Sequence, residues 1–193
     1  MSKIVYFHGF ASSGASGSVL LLRRHFLSDC VLAPDIPLDP AEALPFLQDF
    51  CAREQPDLII GSSMGGMYAQ QMRGFFRICV NPSFEMSKMY HVMRIGTFDW
   101  TCKRQDGQKK GHITQEIIAH LREMEARQFD GIDEDEKVLC YGLFGRQDDR
   151  VTGGYEIFTR HYPNAAWFEG GHRLNDDILK TAVEPLVHEL LGH

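Results

Sequence analysis

The sequence lacks the long hydrophobic runs that mark membrane and secreted proteins. No stretch approaches the roughly 20 consecutive apolar residues that a membrane-spanning helix requires. The first apolar segment, Ile4 to Phe7, is shorter than the core of a signal peptide and is followed at once by His8 and Gly9. We therefore expect no membrane span and a cytoplasmic location.

Paired cysteines and an excess of basic residues are also missing. The five cysteines are odd in number and contain no C-x-x-C pair, which indicates neither a disulfide framework nor a zinc site. The formal net charge of −6 argues against nucleic acid as the main partner, because phosphate binding requires a basic face. With 44% hydrophobic and 24% charged residues, the composition is that of an ordinary globular protein. A single domain over residues 1–193 follows, and its oligomeric state is left open.

Short apolar runs alternate with amphipathic stretches along most of the chain. The runs are rich in β-branched and aromatic residues and predict strands at 3–7, 31–33, 58–60, 78–80, 138–144 and 165–168. The stretches between them predict helices at 18–28, 40–53, 65–72, 154–162 and 175–191. This alternation predicts a three-layer α/β fold with a compact, mostly parallel six-stranded sheet in the order 2-1-3-4-5-6. The order reverses between strands 1 and 3, where ligands bind beyond the carboxyl ends of the strands.

One long segment, residues 84–130, interrupts the alternation and predicts an inserted helical cap. We expect helices at Glu85 to Arg94 and Thr114 to Phe129, with a polar loop between them. The acidic run at 133–136 is interpreted as a solvated connection. Candidate substrate-binding residues in the cap are Met86, Tyr90 and Trp100, although packing of the cap on the core explains them equally simply. Four basic residues could meet an anionic head group such as a CoA phosphate or could lie in a solvated loop: Lys103, Arg104, Lys109 and Lys110.

The pattern G-x-S-x-G occurs once, with Ser63 at its centre between Gly61 and Gly65. Three fixed positions arise by chance in roughly 5% of chains of this length, so the surroundings decide. An apolar predicted strand precedes the pattern and a predicted helix follows it, which is the setting of a nucleophile elbow. Ser63 is therefore the candidate nucleophile; the alternative is a glycine-rich turn with a solvated serine.

A second glycine-containing loop follows the first predicted strand. An elbow of this kind needs two backbone N–H donors for an oxyanion, one of them from this loop. We assign the donors to Phe10 and Met64. His8 precedes Gly9 in the same loop, where it could act either as a base or as a structural residue.

Candidates for the acid and the base follow the last two predicted strands. Asp148 and Asp149 compete for the acid, and the spacing Gly-x-x-Asp-x-x-Val selects Asp148. Glu169 is a weaker alternative. His172 follows two glycines at the end of the last predicted strand, so it is the candidate base. The chain order serine, acid, histidine is that of α/β-hydrolases.

The sequence resembles the YqiA-like esterases, compact members of the α/β-hydrolase superfamily. The resemblance is carried by His8-Gly9-Phe10-x-Ser12-Ser13, Pro34-x-Ile36-Pro37, residues 61–69, Val80-Asn81-Pro82 and Glu169-Gly170-Gly171. It implies hydrolysis of a carboxylic ester, with acyl-CoA-type thioesters as further substrates. His172 follows Gly171 directly, where the family commonly has one residue in between, and residues 84–130 match no recognisable pattern.

The resulting hypothesis is a serine hydrolase that acts on a small-molecule acyl ester or thioester through an acyl-enzyme and needs no cofactor or metal. One alternative is a non-catalytic binding protein that retains the hydrolase fold. Others are cleavage of an amide or carbon–carbon bond or transfer of the acyl group by the same triad, because a fold does not decide between reactions. A metal-dependent hydrolase using Asp148, Asp149 and His172 is the remotest alternative.

Overall fold

A computed structural model describes residues 1–89 and 91–192. Its strands are β1 Lys3–Phe7, β2 Cys30–Leu32, β3 Leu58–Ser62, β4 Phe76–Val80, β5 Gly96–Asp99, β6 Lys110–Ile113, β7 Cys140–Gly145 and β8 Asn164–Phe168. Six of them form one sheet in the order β2-β1-β3-β4-β7-β8, with every neighbouring pair parallel. Counted within this sheet, the order is the predicted 2-1-3-4-5-6. The predicted α/β-hydrolase fold class is confirmed.

The helices lie between the strands, as a parallel sheet requires. They are α1 Gly17–His25, α2 Pro40–Glu54, α3 Met64–Ala69, α4 Gln115–Arg127, α5 Glu134–Val138, α6 Gly154–Thr159, α7 Asp176–Ile178 and α8 Glu184–Leu191. A π-helical turn, Leu179–Val183, joins the last two into one continuous C-terminal helix. Within the described part of the chain, no helix has both the length and the apolar character needed to cross a membrane.

Two apolar cores cover the two faces of the sheet, because successive strand residues point to opposite sides. In β1, Val5 and Phe7 belong to the core under α2, α3, α4 and α6. Ile4 and Tyr6 of the same strand belong to the core under α1 and the C-terminal helix. Both faces are therefore buried, and the loops at the two ends of the strands are left for function.

The segment 84–130 differs from its prediction. In the described part of 85–94, which excludes Tyr90, the one helical turn is the 3₁₀ turn Met86–Lys88, so the helix predicted there was wrong. Two side chains from the region of α4 bond to the backbone around this turn. Glu125 accepts a hydrogen bond from the Ser87 N–H (2.8 Å), and Gln128, the residue after α4, donates one to the Phe84 carbonyl (2.9 Å). These bonds tie the turn to α4, and within the turn the Lys88 N–H donates to the Glu85 carbonyl three residues back (3.1 Å), as in a 3₁₀ helix.

Two further differences concern the polar parts of the chain. An antiparallel hairpin formed by β5 and β6 occupies the region between the two predicted helices, where a polar loop was predicted. The acidic run at 133–136 begins α5, where the Asp133 carboxylate caps the helix by accepting a hydrogen bond from the Glu136 N–H (2.8 Å). The run thus begins a short helix within the predicted connection, and it is solvated as predicted, because Asp133, Glu134 and Asp135 are exposed.

Candidate active site

Ser63 stands at a sharp turn between β3 and α3. Its dihedral angles, φ 56° and ψ −123°, lie in a region that a residue with a side chain rarely adopts, at a typical cost of about 1–3 kcal/mol. The surroundings impose this conformation: the Ser63 N–H donates to the Val80 carbonyl (3.0 Å), and the Ser63 carbonyl accepts from the Ser83 N–H (3.1 Å). The chain therefore holds Ser63 at the carboxyl edge of the sheet in a strained turn.

The glycines on either side of Ser63 permit this turn because the backbone is crowded there. A Cβ atom on Gly61 would lie 2.2 Å from the Gly65 carbonyl oxygen. A Cβ atom on Gly65 would lie 2.1 Å from the carbonyl oxygen of Phe7 at the end of β1. No side chain fits in either place, which is the physical reason for both glycines of the motif.

Asp148 and His172 are brought together from two different loops. The Nδ1 atom of His172 lies 2.8 Å from Oδ2 of Asp148. The other carboxylate oxygen, Oδ1, accepts hydrogen bonds from the N–H groups of Arg150 (2.8 Å) and Val151 (3.1 Å). Asp149, the competing acid, is exposed. The geometry therefore places Asp148, not Asp149, against the histidine.

The environment keeps the Asp148 carboxyl ionised. Its partial burial favours the neutral acid, but the hydrogen bonds from His172 and from two backbone N–H groups outweigh this, so the pKa of Asp148 is lowered. An ionised carboxylate on Nδ1 holds a proton on that nitrogen and leaves Nε2 of His172 as a proton acceptor. This is the state that a general base requires.

The Ser63 hydroxyl lies next to a second serine that the sequence pattern does not single out. Its Oγ is 3.1 Å from Oγ of Ser83, which is 1% exposed. No hydrogen bond joins Ser63 to His172 among the residues that the structure describes. Such bonds are often long in unliganded enzymes and shorten when substrate binds.

The predicted oxyanion loop lies against the nucleophile. A Cβ atom on Gly9 would lie 3.3 Å from Cβ of Ser63, so only a glycine lets the loop approach this closely without displacing the serine. Phe10 follows in the loop, and Met64 is the first residue of α3, where helix N–H groups have no acceptor within the helix. Gly9 thus brings the loop that carries Phe10 close to Ser63, and Met64 is its neighbour in the chain; their role as oxyanion donors stays a prediction.

His8 is buried in the same loop and makes two hydrogen bonds away from Ser63. Its Nδ1 bonds to the Gly9 carbonyl (2.8 Å), and its Nε2 accepts from the Ile36 N–H (3.0 Å). This pattern fixes the neutral tautomer. Burial lowers the pKa of His8 to about 4, so the residue joins two loops as a neutral structural group.

Acid should destabilise the fold through His8. The unfolded chain takes up this proton near the ordinary pKa of 6.5, whereas the folded chain resists it down to about 4. The His8 contribution is therefore present above about pH 6.5 and is lost as the pH falls toward 4. Between pH 7 and pH 5 we expect it to remove about 2 kcal/mol from the free energy of unfolding. Urea unfolding of wild type and His8→Gln at both pH values measures this, and equal pH dependence in the two proteins would contradict it.

The predicted substrate-binding residues differ in their surroundings. Trp100 is partly buried; its ring packs 5.0 Å from that of Phe98, which in turn packs 4.9 Å from Phe10 of the oxyanion loop. The backbone after Trp100 is tied to the same loop, because the Thr101 N–H donates to the Ala11 carbonyl (2.8 Å). Met86 is 2% exposed within an apolar core, which favours packing as its role. Tyr90 lies outside the described residues.

The basic residues of this segment divide in the same way. Arg104 is 6% exposed and stacks 4.3 Å above the Trp100 ring, while its guanidinium pairs with Asp106 (3.0 Å) and donates to the Ile36 carbonyl (3.2 Å). Arg104 therefore packs against the aromatic row, the rings of Phe10, Phe98 and Trp100, and its charge is paired instead of free. Lys103 and Lys109 are both exposed, and Nζ of Lys110 lies 4.0 Å from Oδ1 of Asp99 at the surface.

Comparison with known families decides the relationship of the chain. The model of the family described as "Uncharacterised protein family (UPF0227)" matches residues 3–176. The chain belongs to this family. The predicted membership of the YqiA-like esterases is thereby confirmed.

Solved structures with this fold include several esterases and lipases. Est1E from Butyrivibrio proteoclasticus with bound ferulic acid matches 100% of this chain and 90% of its own, with a TM-score of 0.69 and 15% identity. The esterase domain of a Rhodothermus marinus protein matches 97% and 87%, with 0.66 and 16%. A monoglyceride lipase variant from Saccharomyces cerevisiae matches 98% and 85%, with 0.65 and 14%. At these identities the similarity shows the fold.

Among residues 1–89 and 91–192, no group of three or more His, Cys, Asp or Glu side chains is arranged to hold a metal ion. The set proposed for a metal-dependent hydrolase is therefore not assembled, since Asp149 is exposed while Asp148 and His172 pair with each other.

The sequence alone gave no role to Asn81 or Ser83. Asn81 stood out only within the Val80-Asn81-Pro82 patch, and Ser83 only as its neighbour.

Proposed function

We propose that this protein is a serine hydrolase that cleaves carboxylic acyl esters or thioesters through a triad of Ser63, His172 and Asp148. The observation that carries the proposal is the strained elbow at Ser63 on the same sheet edge as a hydrogen-bonded Asp148–His172 pair. A solvated serine in an ordinary turn would not require φ 56° or such crowded glycines. Chemistry at an exposed nucleophile does require them.

The reaction proceeds in two steps. His172 takes the proton of the Ser63 hydroxyl through Nε2, and Oγ attacks the acyl carbon while the N–H groups of Phe10 and Met64 bind the oxyanion. The C–O or C–S bond then breaks, and the leaving group takes the proton from His172. Water, activated by the same imidazole, hydrolyses the acyl-enzyme and returns Ser63. The reaction needs no metal or cofactor.

The acyl group lies, in this proposal, against the aromatic row formed by Phe10, Phe98 and Trp100. Flat apolar rings next to the oxyanion donors suit an aryl or alkyl acyl chain. The ferulic acid bound to Est1E and the substrate analogue bound to the monoglyceride lipase variant support ester substrates of this kind. Tyr90 is proposed as a further contact of the acyl group, whereas Met86, which is 2% exposed, is proposed to act through core packing. The proposed location is the cytoplasm.

A substrate panel tests the reaction type. We expect time-dependent hydrolysis of p-nitrophenyl esters from acetate to decanoate, of an aryl acid ester, or of acyl-CoA thioesters, unaffected by EDTA. Amides, carbon–carbon substrates and added acceptor alcohols form the comparison arms. Activity confined to one of those arms would replace ester hydrolysis by that reaction. A flat panel together with no fluorophosphonate labelling would favour a binding protein.

Ser83→Ala probes the hydroxyl beside the nucleophile. The Ser83 hydroxyl can donate to Ser63 Oγ and so stabilise the oxygen as it loses its proton. One neutral hydrogen bond contributes about 0.5–1.5 kcal/mol, so we expect kcat to fall about threefold to tenfold. Steady-state kinetics measure the effect, with thermal unfolding as the control for folding. An unchanged kcat in a folded variant would show that this hydroxyl does not assist Ser63.

A further inference from the structure

Asn81 joins the two loops that carry the acid and the histidine. It follows β4 directly and is 2% exposed. Its side-chain NH₂ donates to the carbonyls of Gly171 (3.1 Å) and His172 (3.2 Å). Its side-chain oxygen accepts from the N–H of Gly145 (2.7 Å), where the acid loop begins. A single buried amide therefore bonds to both loops at once.

The backbone of Asn81 is also fixed. Its N–H donates to the Leu143 carbonyl (2.8 Å), and its φ is 45°, in the left-handed region where asparagine is enriched among residues with a side chain. The preceding carbonyl, that of Val80, accepts from the Ser63 N–H. Asn81 is thus one residue from a backbone bond to the nucleophile.

Aspartate and glycine both tolerate this φ, but neither can make this set of bonds. An aspartate tolerates the conformation and can accept from Gly145, but its carboxylate cannot donate to two carbonyls. A glycine tolerates the conformation and makes none of the three bonds. The carbonyls of Gly171 and His172 belong to partly buried residues, so loss of the amide donor removes hydrogen bonds of about 0.5–1.5 kcal/mol each and frees the His172 loop to move toward water.

The two loops are close enough for such a movement to matter. A Cβ atom on Gly145 would lie 2.5 Å from the Gly170 carbonyl oxygen, so the loops touch by their backbones. The Gln147 N–H also donates to the Gly170 carbonyl (3.0 Å), which ties the loops one residue before Asp148. Asn81 supplies the corresponding bonds at Gly171 and His172. An aspartate at position 81 would free the histidine end and keep the bond at the acid end, whereas a glycine would lose the bonds at both ends.

We propose that Asn81 is a positioning residue that fixes the backbone of His172 against the acid loop, so that Nδ1 stays on Asp148 and Nε2 reaches Ser63. The inference rests on the proposed function for its catalytic consequence. Asn81 acts through His172 and does not touch the substrate. Misplacement of a catalytic group by about 1 Å can cost about 10²-fold in rate.

The test compares Asn81→Asp and Asn81→Gly with wild type. The first readout is kinetic: kcat and KM for the best ester, and the rate of fluorophosphonate labelling. The second is the downfield NMR signal of the His172 Nδ1 proton, which is assigned by its absence in Asp148→Asn. We expect kcat and the labelling rate to fall about tenfold to 100-fold with KM within about twofold, and the proton signal to disappear. Asn164→Asp is the matched control, because the Asn164 amide donates to the Val138 carbonyl (3.1 Å) at the opposite edge of the sheet.

Every outcome decides the inference. Lower thermal stability with unchanged kcat and a retained proton signal would overturn it and leave Asn81 a structural residue, as would a rise in KM alone. Asn81→Gly keeps the test open if Asn81→Asp does not fold. If the wild type is inactive and unlabelled but shows the proton signal, and the Asn81 variants lose that signal, the proposed function fails while the positioning role stands. If wild type shows neither activity nor the proton signal, both fail.

Discussion

Replacing Ser63 by alanine should abolish turnover while leaving the fold intact. Removing the nucleophile from a triad typically lowers kcat by at least about 10⁴-fold, because only binding and the oxyanion donors remain. The substitution should not unfold the protein, since the elbow is held by the Ser63 backbone, whose N–H and carbonyl bond to Val80 and Ser83. Steady-state hydrolysis and fluorophosphonate labelling measure the loss, and circular dichroism verifies the fold.

The neighbouring serine provides the matched control. Ser62 precedes the nucleophile, but its hydroxyl lies 2.6 Å from the Tyr6 hydroxyl and so faces away from the site. Ser62→Ala should keep its labelling and most of its activity. Labelling that survives in Ser63→Ala and disappears in Ser62→Ala would mean that the nucleophile is Ser62. Undiminished activity in Ser63→Ala would refute a serine mechanism at this elbow.

The second large effect is expected from Asp148→Asn. An asparagine can donate a hydrogen bond to Nδ1 and so favour the tautomer with its proton on Nε2, which cannot accept the Ser63 proton. A change of this kind lowers kcat by about 10⁴-fold with little change in geometry. Asp149→Asn is the control one residue away, and it should leave kcat within about twofold because Asp149 is exposed. Hydrolysis rates of the two variants at neutral pH, at equal folded concentration, make the comparison.

A larger loss of kcat in Asp149→Asn than in Asp148→Asn would identify Asp149 as the acid. Equal small effects would mean that the carboxylate does not orient His172 during the reaction. Both results are distinct from unfolding, which thermal melts detect. The side chains of Asp148 and His172 are 6% and 13% exposed, so a small loss of stability is expected even where the mechanism is right.

The sheet and the residues gathered at its edge could be predicted from the sequence because their requirements are local. Gly61 and Gly65 report a turn that admits no side chain, and the apolar strand before Ser63 shows where the turn is placed. The spacing from Gly145 selected the aspartate that the structure places on His172. In each case the sequence signal is contained within a few residues, although the contacts that it serves reach as far as Phe7 and His172.

Other features depended on contacts between distant parts of the chain. Around the start of the helix predicted at 85–94, the backbone bonds to the side chains of Glu125 and Gln128, which lie far along the sequence and give no local signal. The hairpin of β5 and β6 has too few alternating residues to show a period. The bonds from Asn81 to Gly171 and His172 join residues about 90 positions apart, and nothing near Asn81 in the sequence indicates them.

The pairing of β4 with β7 has a consequence for how the protein becomes competent. These strands are neighbours in the sheet, yet the whole of segment 84–130 lies between them in the chain. Closing so large a loop has an entropic cost that must be met before the strands stabilise each other, which makes parallel pairing slow. Ser63 and Asn81 lie on one side of this junction and Asp148 and His172 on the other. The acid and the base therefore reach the nucleophile only after the least local strand pairing of the sheet has formed.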